Sequence, residues 1–474
     1  RQLVAHPDVD RVILTGGYET AELFRSFRPD LPLLAETSGK NAIIVTPSAD
    51  FDLAAKDVAY SAFGHAGQKC SAASLVIMVG SVAKSPRFRN QLIDAVSSLK
   101  VGYPSDASTQ MGPIIEPANG KLLDALTTLG EGESWLIKPE QLDESGKLWS
   151  PGVRSGVKRG SYFHRTEFFG PVLGIMTAAT LEEAVVIQNE IDYGLTAGLH
   201  SLNPAELGYW MENIQAGNLY INRGITGAIV RRQPFGGWKK SAVGAGTKAG
   251  GPNYLIGLGD WVPAEPNGAG LPVQHSAVAK LLAAAKSSGP ALCSGETESL
   301  AQALRSDAAA WAGEFGLARD VSGLSAERNV FRYLPVPVTV RLTNGAPLVS
   351  LLRVLGAGLL AGSRLTVSSA LELPHAVRAV LAELSLPVTV EDDDAWLAKA
   401  GGLGARRVRL IGTDPAAAAR AFADATGGRP DLAVYGKAVT PAGRIELLPF
   451  LREQAVSITA HRFGTPNHLS GGLI

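Results

Sequence analysis

Cysteine, the side chain with the most direct covalent chemistry, occurs only twice in 474 residues, as Cys70 and Cys293. Cys70 stands in Gly64-His65-Ala66-Gly67-Gln68-Lys69-Cys70-Ser71-Ala72-Ala73, among small residues, after a helical stretch and before a strand-like run. Its sulfur can therefore lie at a cleft with little steric cover. A free thiol, with a pKa of about 8.5, is a few per cent thiolate at neutral pH and intrinsically a strong nucleophile. Cys293, in Ala291-Leu292-Cys293-Ser294-Gly295, reads as an ordinary core cysteine. Two cysteines exclude a disulfide framework and favour a reducing compartment.

The elements that must position Cys70 are legible as alternating patterns. Val12-Ile13-Leu14-Thr15, Ala42-Ile43-Ile44-Val45, Leu75-Val76-Ile77-Met78-Val79 and Pro171-Val172-Leu173-Gly174-Ile175-Met176 read as buried strands. Amphipathic stretches at 53–63, 88–99, 181–189 and 204–214 read as helices between them, so an open α/β architecture with a mostly parallel sheet is expected. Pro and Gly crowd the segment 261–274, which reads as a linker. Beyond it come two Ala-rich helices (275–287 and 297–315), then further strands at 338–340, 365–367, 408–411 and 455–458 with helices at 348–360, 374–384 and 416–423. A weak echo joins the halves: a strand-then-Gly pattern, a short helix, and the tetrapeptide Arg28-Pro29-Asp30-Leu31 or Arg429-Pro430-Asp431-Leu432.

Composition narrows the class. Lys plus Arg equals 44 and Asp plus Glu equals 44, which argues against nucleic acid or acidic membrane as a partner. Charged residues are 19% and hydrophobic residues 46%, a globular balance. No apolar run approaches the roughly 20 residues that span a bilayer and no signal peptide opens the chain, so a cytoplasmic location is expected. Arg1 as first residue, with a strand starting almost at once, reads as the continuation of a longer polypeptide.

Several motifs resemble the aldehyde dehydrogenase superfamily in order and spacing. Leu14-Thr15-Gly16-Gly17 resembles the turn that approaches the cofactor pyrophosphate, with Gly17 in place of a common Ser. Ala35-Glu36-Thr37-Ser38-Gly39-Lys40 resembles the general-base motif, Gly67-Gln68-Lys69-Cys70 the nucleophile motif, Glu167-Phe168-Phe169-Gly170-Pro171 the nicotinamide-ribose motif, and Pro234-Phe235-Gly236-Gly237 the substrate-side loop. Cys70-Ser71-Ala72 and the run from Gly227 to Gly237 narrow the resemblance to the glutamate-semialdehyde (pyrroline-5-carboxylate) dehydrogenase branch, and especially to the C-terminal part of the bifunctional proline utilization A proteins.

The resemblance implies a partial Rossmann-type cofactor domain plus an α/β catalytic domain (residues 1–260, catalytic part about 70–240), followed at 275–474 by a degenerate, non-catalytic aldehyde dehydrogenase-like domain. It implies Cys70 as nucleophile and Glu36 as general base for thioester hydrolysis, a role typically worth about 10² to 10⁴ in rate. Gly16, Gly17, Glu167 and Phe169 would hold NAD, with Glu167 on the ribose hydroxyls and Phe169 against the nicotinamide. Ser71, Gly227, Ala228 and Phe235 would hold the substrate, a small carboxylate-bearing aldehyde; no metal is expected. Arg231 and Arg232 read as solvated, and Lys69 could help depress the thiol pKa. The choice between NAD and NADP is left open. An FAD-dependent proline dehydrogenase domain is expected upstream, together with an oxyanion-hole Asn and the first half of the dinucleotide fold, so the 474 residues alone are expected to be inactive. The final segment is expected to act as a lid. A dehydrogenase for another small aldehyde and a non-catalytic scaffold are the alternatives.

Overall fold

The computed structural model describes residues 1–262 and 270–474, so the middle of the expected linker, 263–269, lies outside the described residues. The alternating pattern resolves into two compact units that interleave along the chain. One comprises 1–36, 243–318 and 332–453; the other comprises 37–242, 319–331 and 454–474. The expected divide near residue 261 is therefore not where the compact units part.

The second unit is built on a long sheet. The strand Leu451–Thr459 from Gln454 onward, Asn218–Ile221, Thr196–His200, Asn41–Val45, Ala73–Val79, Val172–Ala178 and Gly152–Ser155 follow one another as parallel neighbours. An antiparallel partner, Ser134–Ile137, closes the far end. Asn41–Val45 and Thr196–His200 are buried at every position, as strands covered on both faces must be. Their apolar side chains join those of the helices Phe51–Phe63 and Leu181–Asn189 in one large core. The expected strand 455–458 belongs here, beside Asn218–Ile221, and not with the second half of the chain. Pairing over such a sequence distance leaves no local signature.

The first unit contains a parallel sheet in the spatial order Val388–Val390, Leu365–Ser369, Val338–Leu342, Arg407–Ile411, Ala433–Tyr435. In chain order that is 3-2-1-4-5, the arrangement of a dinucleotide-binding sheet, which takes ligands where the order reverses. Here the strand ends are filled from within. The buried Arg341 guanidinium donates to Ser368 Oγ at 2.7 Å and to Asp393 at 2.6 Å, and Ser368 donates to Glu391 at 2.7 Å.

The tetrapeptide echo has a structural basis in the same unit. Val12–Thr15 and Leu33–Glu36 form a parallel pair around the helix Tyr18–Phe27, as Arg407–Ile411 and Ala433–Tyr435 do around Pro415–Thr426. In each, the arginine pairs with the aspartate two residues on, at 3.3 Å for Arg28 and 2.8 Å for Arg429. Each arginine also donates to a carbonyl just before the first strand, Val9 at 2.8 Å and Leu403 at 2.9 Å.

Cys293 departs from expectation. It is exposed and caps the helix Ser294–Ala310: its sulfur accepts from Glu296 N–H at 3.4 Å while the Glu296 carboxylate accepts from Cys293 N–H at 2.8 Å. A reciprocal capping box satisfies two orphan backbone donors, which explains a small polarisable residue at that place. Among the described residues no helix is long and apolar enough to cross a membrane.

Candidate active site

The Cys70 loop begins where the helix Phe51–Phe63 ends. That helix is started by Asp50, whose carboxylate accepts Leu53 N–H at 3.2 Å, and it stops at Gly64. Three successive left-handed residues follow: His65 (φ 53°), Ala66 (φ 52°) and Gly67 (φ 70°). Left-handed backbone costs a non-glycine residue roughly 1–2 kcal/mol, so the turn is held by its surroundings. Gly67 is buried, and a Cβ there would overlap the carbonyl oxygen of Gly170. The turn before Cys70 thus backs directly onto the Glu167–Pro171 segment. Replacing Gly67 with Ala should lower stability by about 3 kcal/mol or more, because strain and overlap act together; an unchanged urea midpoint would contradict this packing.

Cys70 itself is partly accessible. Its carbonyl accepts from the Asn41 side-chain amide at 2.7 Å, and the same nitrogen reaches the carbonyl of Ala72 at 2.9 Å. Asn41 Oδ1 in turn accepts Thr196 N–H at 3.0 Å, and the Thr196 hydroxyl donates to the Ser71 carbonyl at 3.3 Å. Ser71 is buried beside Cys70. Asn41 is therefore the brace that ties the Cys70–Ala72 backbone to the central sheet.

Glu167 is mostly buried, and one carboxylate oxygen accepts the Gly39 N–H at 2.9 Å. Burial raises its pKa, against the lowering effect of the Gly39 N–H and the Ser38 hydroxyl. A Cβ on Gly39 would lie 2.6 Å from the Cys70 carbonyl oxygen, so only glycine fits between the two motifs. Ser38 is fixed from behind, its carbonyl accepting the Ser241 hydroxyl at 2.7 Å. Phe169 holds a left-handed backbone (φ 56°), the residue is 41% exposed, and its carbonyl accepts from the Gln68 amide at 3.1 Å. Phe168 is core, stacked on Phe163 at 4.9 Å. Gly39, Gly67, Lys69, Glu167 and Phe169 line one small cleft. A carboxylate, an exposed aromatic face and side-chain-free glycines suit vicinal hydroxyls and a flat ring, which is what a nicotinamide riboside presents.

The loop from Gly227 to Gly237 lies at a second cleft of about 700 Å³, lined among others by Asp57, Tyr60, Arg223, Gly227, Arg232 and Glu327. Gly227 adopts φ 82°, and Ala228 is exposed on the loop. Phe235 is half-buried. Beneath them is a network that sequence reading missed. Gln233, buried, donates to Glu327 at 2.9 Å, Asn329 at 2.7 Å and Ser457 at 3.1 Å, while its oxygen accepts Ile229 N–H at 3.0 Å. Arg223 joins it with bonds to Ser457 at 2.6 Å and Glu327 at 3.0 Å. A glutamine inside a Pro- and Gly-bounded loop carries no signal of burial in its sequence, which is why it escaped notice.

Gly16, Gly17 and Glu36 belong to the first unit and lie together there. Thr15 and Glu36 are register partners, Gly16 N–H donates to the Glu36 carbonyl at 3.2 Å, and Gly17 precedes the helix Tyr18–Phe27 as its N-cap. Lys248, wholly buried, has its ammonium pushed down to about 8 by burial while the carboxylates of Glu36 and Glu453 oppose that shift. Among the described residues no cluster of His, Cys, Asp or Glu could hold a metal ion.

Residues 1–256 match the model of the aldehyde dehydrogenase family. The 1-pyrroline-5-carboxylate dehydrogenase of Geobacillus sp. (strain WCH70) is 41% identical over 225 residues, 47% of this chain and 43% of that protein. The Bacillus subtilis (strain 168) 1-pyrroline-5-carboxylate dehydrogenase is 37% identical over 263 residues, 54% of this chain and 50% of that protein. The solved structure of proline utilization A from Corynebacterium freiburgense is 46% identical, covers 98% of this chain and 43% of its own, and superposes with a TM-score of 0.80. The chain spans about half the length of the curated relatives it matches.

Proposed function

The chain belongs to the aldehyde dehydrogenase family, and on that premise we propose that, within the protein its gene encodes, it oxidises L-glutamate γ-semialdehyde to L-glutamate, the second step of proline catabolism. The observation that carries this reading is the fastening of three motifs around one another. The Cys70 loop backs onto Gly170, and Gly39, whose N–H donates to Glu167, fits against the Cys70 carbonyl.

In this mechanism the Cys70 thiolate attacks the aldehyde carbon, and the oxyanion takes a hydrogen bond from the Cys70 backbone N–H. A nicotinamide dinucleotide, NAD in this proposal, supplies the acceptor for the hydride that the collapsing adduct expels. Glu167 would hold its ribose and Phe169 would face its ring. Cys70 is left as a thioester, and Glu36 removes a proton from the water that hydrolyses it. Gly227 and Ala228 offer backbone N–H groups to the substrate carboxylate, for which the left-handed Gly227 permits close approach. Phe235 would cover the aliphatic stem. The sheet of Val338–Leu342 and its neighbours is assigned no catalysis, since Arg341, Ser368 and Asp393 fill the strand ends where a nucleotide would lie. A flavin-dependent proline dehydrogenase domain in the same polypeptide would supply the substrate.

The test is the rate of NADH formation by the full gene product with glutamate semialdehyde and with uncharged aldehydes of similar length. A kcat/KM at least about 100-fold higher for the semialdehyde is expected, since a site built to bind a carboxylate is left with unpaired donors by an analogue lacking one. Preference for an uncharged aldehyde would overturn the substrate; no oxidation of any aldehyde would favour a scaffold.

A further inference from the structure

Lys40, the residue after Gly39, has no part in the mechanism above. Its side chain is buried, and Nζ has no hydrogen-bond partner among the described residues. It is held instead over two aromatic faces, 4.2 Å from the Phe163 ring centre and 5.1 Å from that of Phe168. A cation over an aromatic ring recovers part of its lost hydration, but far from all of it.

The charged groups facing Lys40 are Glu167, Arg154, Glu133, Lys121 and His164. Arg154 lies over the same Phe163 ring at 4.6 Å and is neutralised by Glu133 at 2.7 Å. His164 bonds to the Gly160 N–H and the Ile187 carbonyl, and burial lowers its pKa, so it is neutral at pH 7. Lys121 opposes a charge on Lys40, and Glu167 favours one. With Glu133 paired to Arg154, Glu167 is the carboxylate that most favours the Lys40 ammonium, and Lys121 and Lys40 both act on Glu167. Burial, partly offset by Glu167, brings the Lys40 pKa down to about 7, so both protonation states are within reach.

We infer that Lys40 is the buried counter-charge of Glu167 and sets which redox state of the dinucleotide the cleft prefers: its ammonium suits the neutral reduced ring, its free amine the cationic oxidised ring. This rests on the reading that Glu167 holds the nicotinamide ribose. With Lys40 charged, its ammonium offsets the attraction of the Glu167 carboxylate for a positive ring, and that attraction is lost. With Lys40 neutral, the Glu167 carboxylate is left to attract that ring. Binding of NAD⁺ therefore expels a proton and weakens as pH falls through the Lys40 pKa; binding of NADH does neither.

The test is calorimetric titration of the full gene product with NAD⁺ and with NADH from pH 6 to 8, in buffers of different ionisation enthalpy, for the natural protein and Lys40→Met, which keeps the length and suits the aromatic box. In the natural protein the NAD⁺ dissociation constant should rise up to about tenfold from pH 8 to pH 6, with proton release, while that for NADH changes less than about twofold. In Lys40→Met both should be flat, and retained NADH binding shows that the cleft is folded. The same NAD⁺ pH dependence in Lys40→Met, equal pH dependence for the two cofactors in the natural protein, or equal loss of both cofactors in the variant would overturn the role of Lys40. Failure of the natural protein to bind either cofactor would overturn the assignment of Glu167 itself, and the inference with it.

Discussion

Replacing Cys70 with Ser in the full gene product is expected to lower kcat/KM for aldehyde oxidation by about 10⁴-fold or more, because a serine hydroxyl remains protonated where a thiol supplies a usable thiolate. The fold should tolerate the change. The bonds that organise the loop run through the Cys70 carbonyl, and Asn41 would keep them. Glu36→Gln should act at a different step, leaving the first turnover nearly intact and slowing steady-state turnover by about 10² to 10⁴. A burst of one NADH per active site followed by a slow phase is its expected signature in rapid-mixing kinetics. Equal loss of burst and steady state would place Glu36 elsewhere in the mechanism.

Ending the chain at Glu453 should have an effect as large, through folding rather than chemistry. The resemblance implies a lid in the final segment, 454–474, and the first part of that segment is paired in the sheet with Asn218–Ile221. Ala455, Val456 and Ile458 are buried there, the larger two contributing about 1.5–3 kcal/mol each. Ser457 also closes the Gln233, Asn329 and Arg223 network. The truncated protein should lose its cooperative thermal transition or unfold well below the intact one, and aldehyde oxidation with it. The milder Ser457→Ala should keep the fold and raise KM for the semialdehyde about threefold to tenfold, since three hydrogen bonds beneath the substrate loop are lost while Gln233 and Arg223 keep their bonds to Glu327. Normal stability and kinetics after truncation would show that this strand is dispensable.

What could be read from the sequence, and what could not, divides by range. The helices 181–189 and 348–360 and the strand 12–15 have the bounds their local periodicity implied. The Gly67-Gln68-Lys69-Cys70 motif was legible because a left-handed turn against a neighbouring carbonyl tolerates little else at position 67. The interleaving of the units was not legible, because strands such as Leu451–Thr459 and Asn218–Ile221 find each other across more than two hundred residues with no covalent hint. Gln233, Asn41 and Lys40 escaped for a different reason. Polar residues are read by default as solvated, and only the fold shows that these three are buried, the first two with partners and the third above aromatic rings. Cys293 erred in the opposite direction: an apolar default concealed a helix cap.

The most direct measurement is mass spectrometry of the Glu36→Gln protein quenched after mixing with glutamate semialdehyde and NAD⁺. A glutamyl thioester on the peptide carrying Cys70, absent without NAD⁺ and absent in Cys70→Ser, is the expected result. An unmodified Cys70 in a protein that has formed NADH, or the acyl group on another residue, would contradict the assignment of Cys70 as the nucleophile.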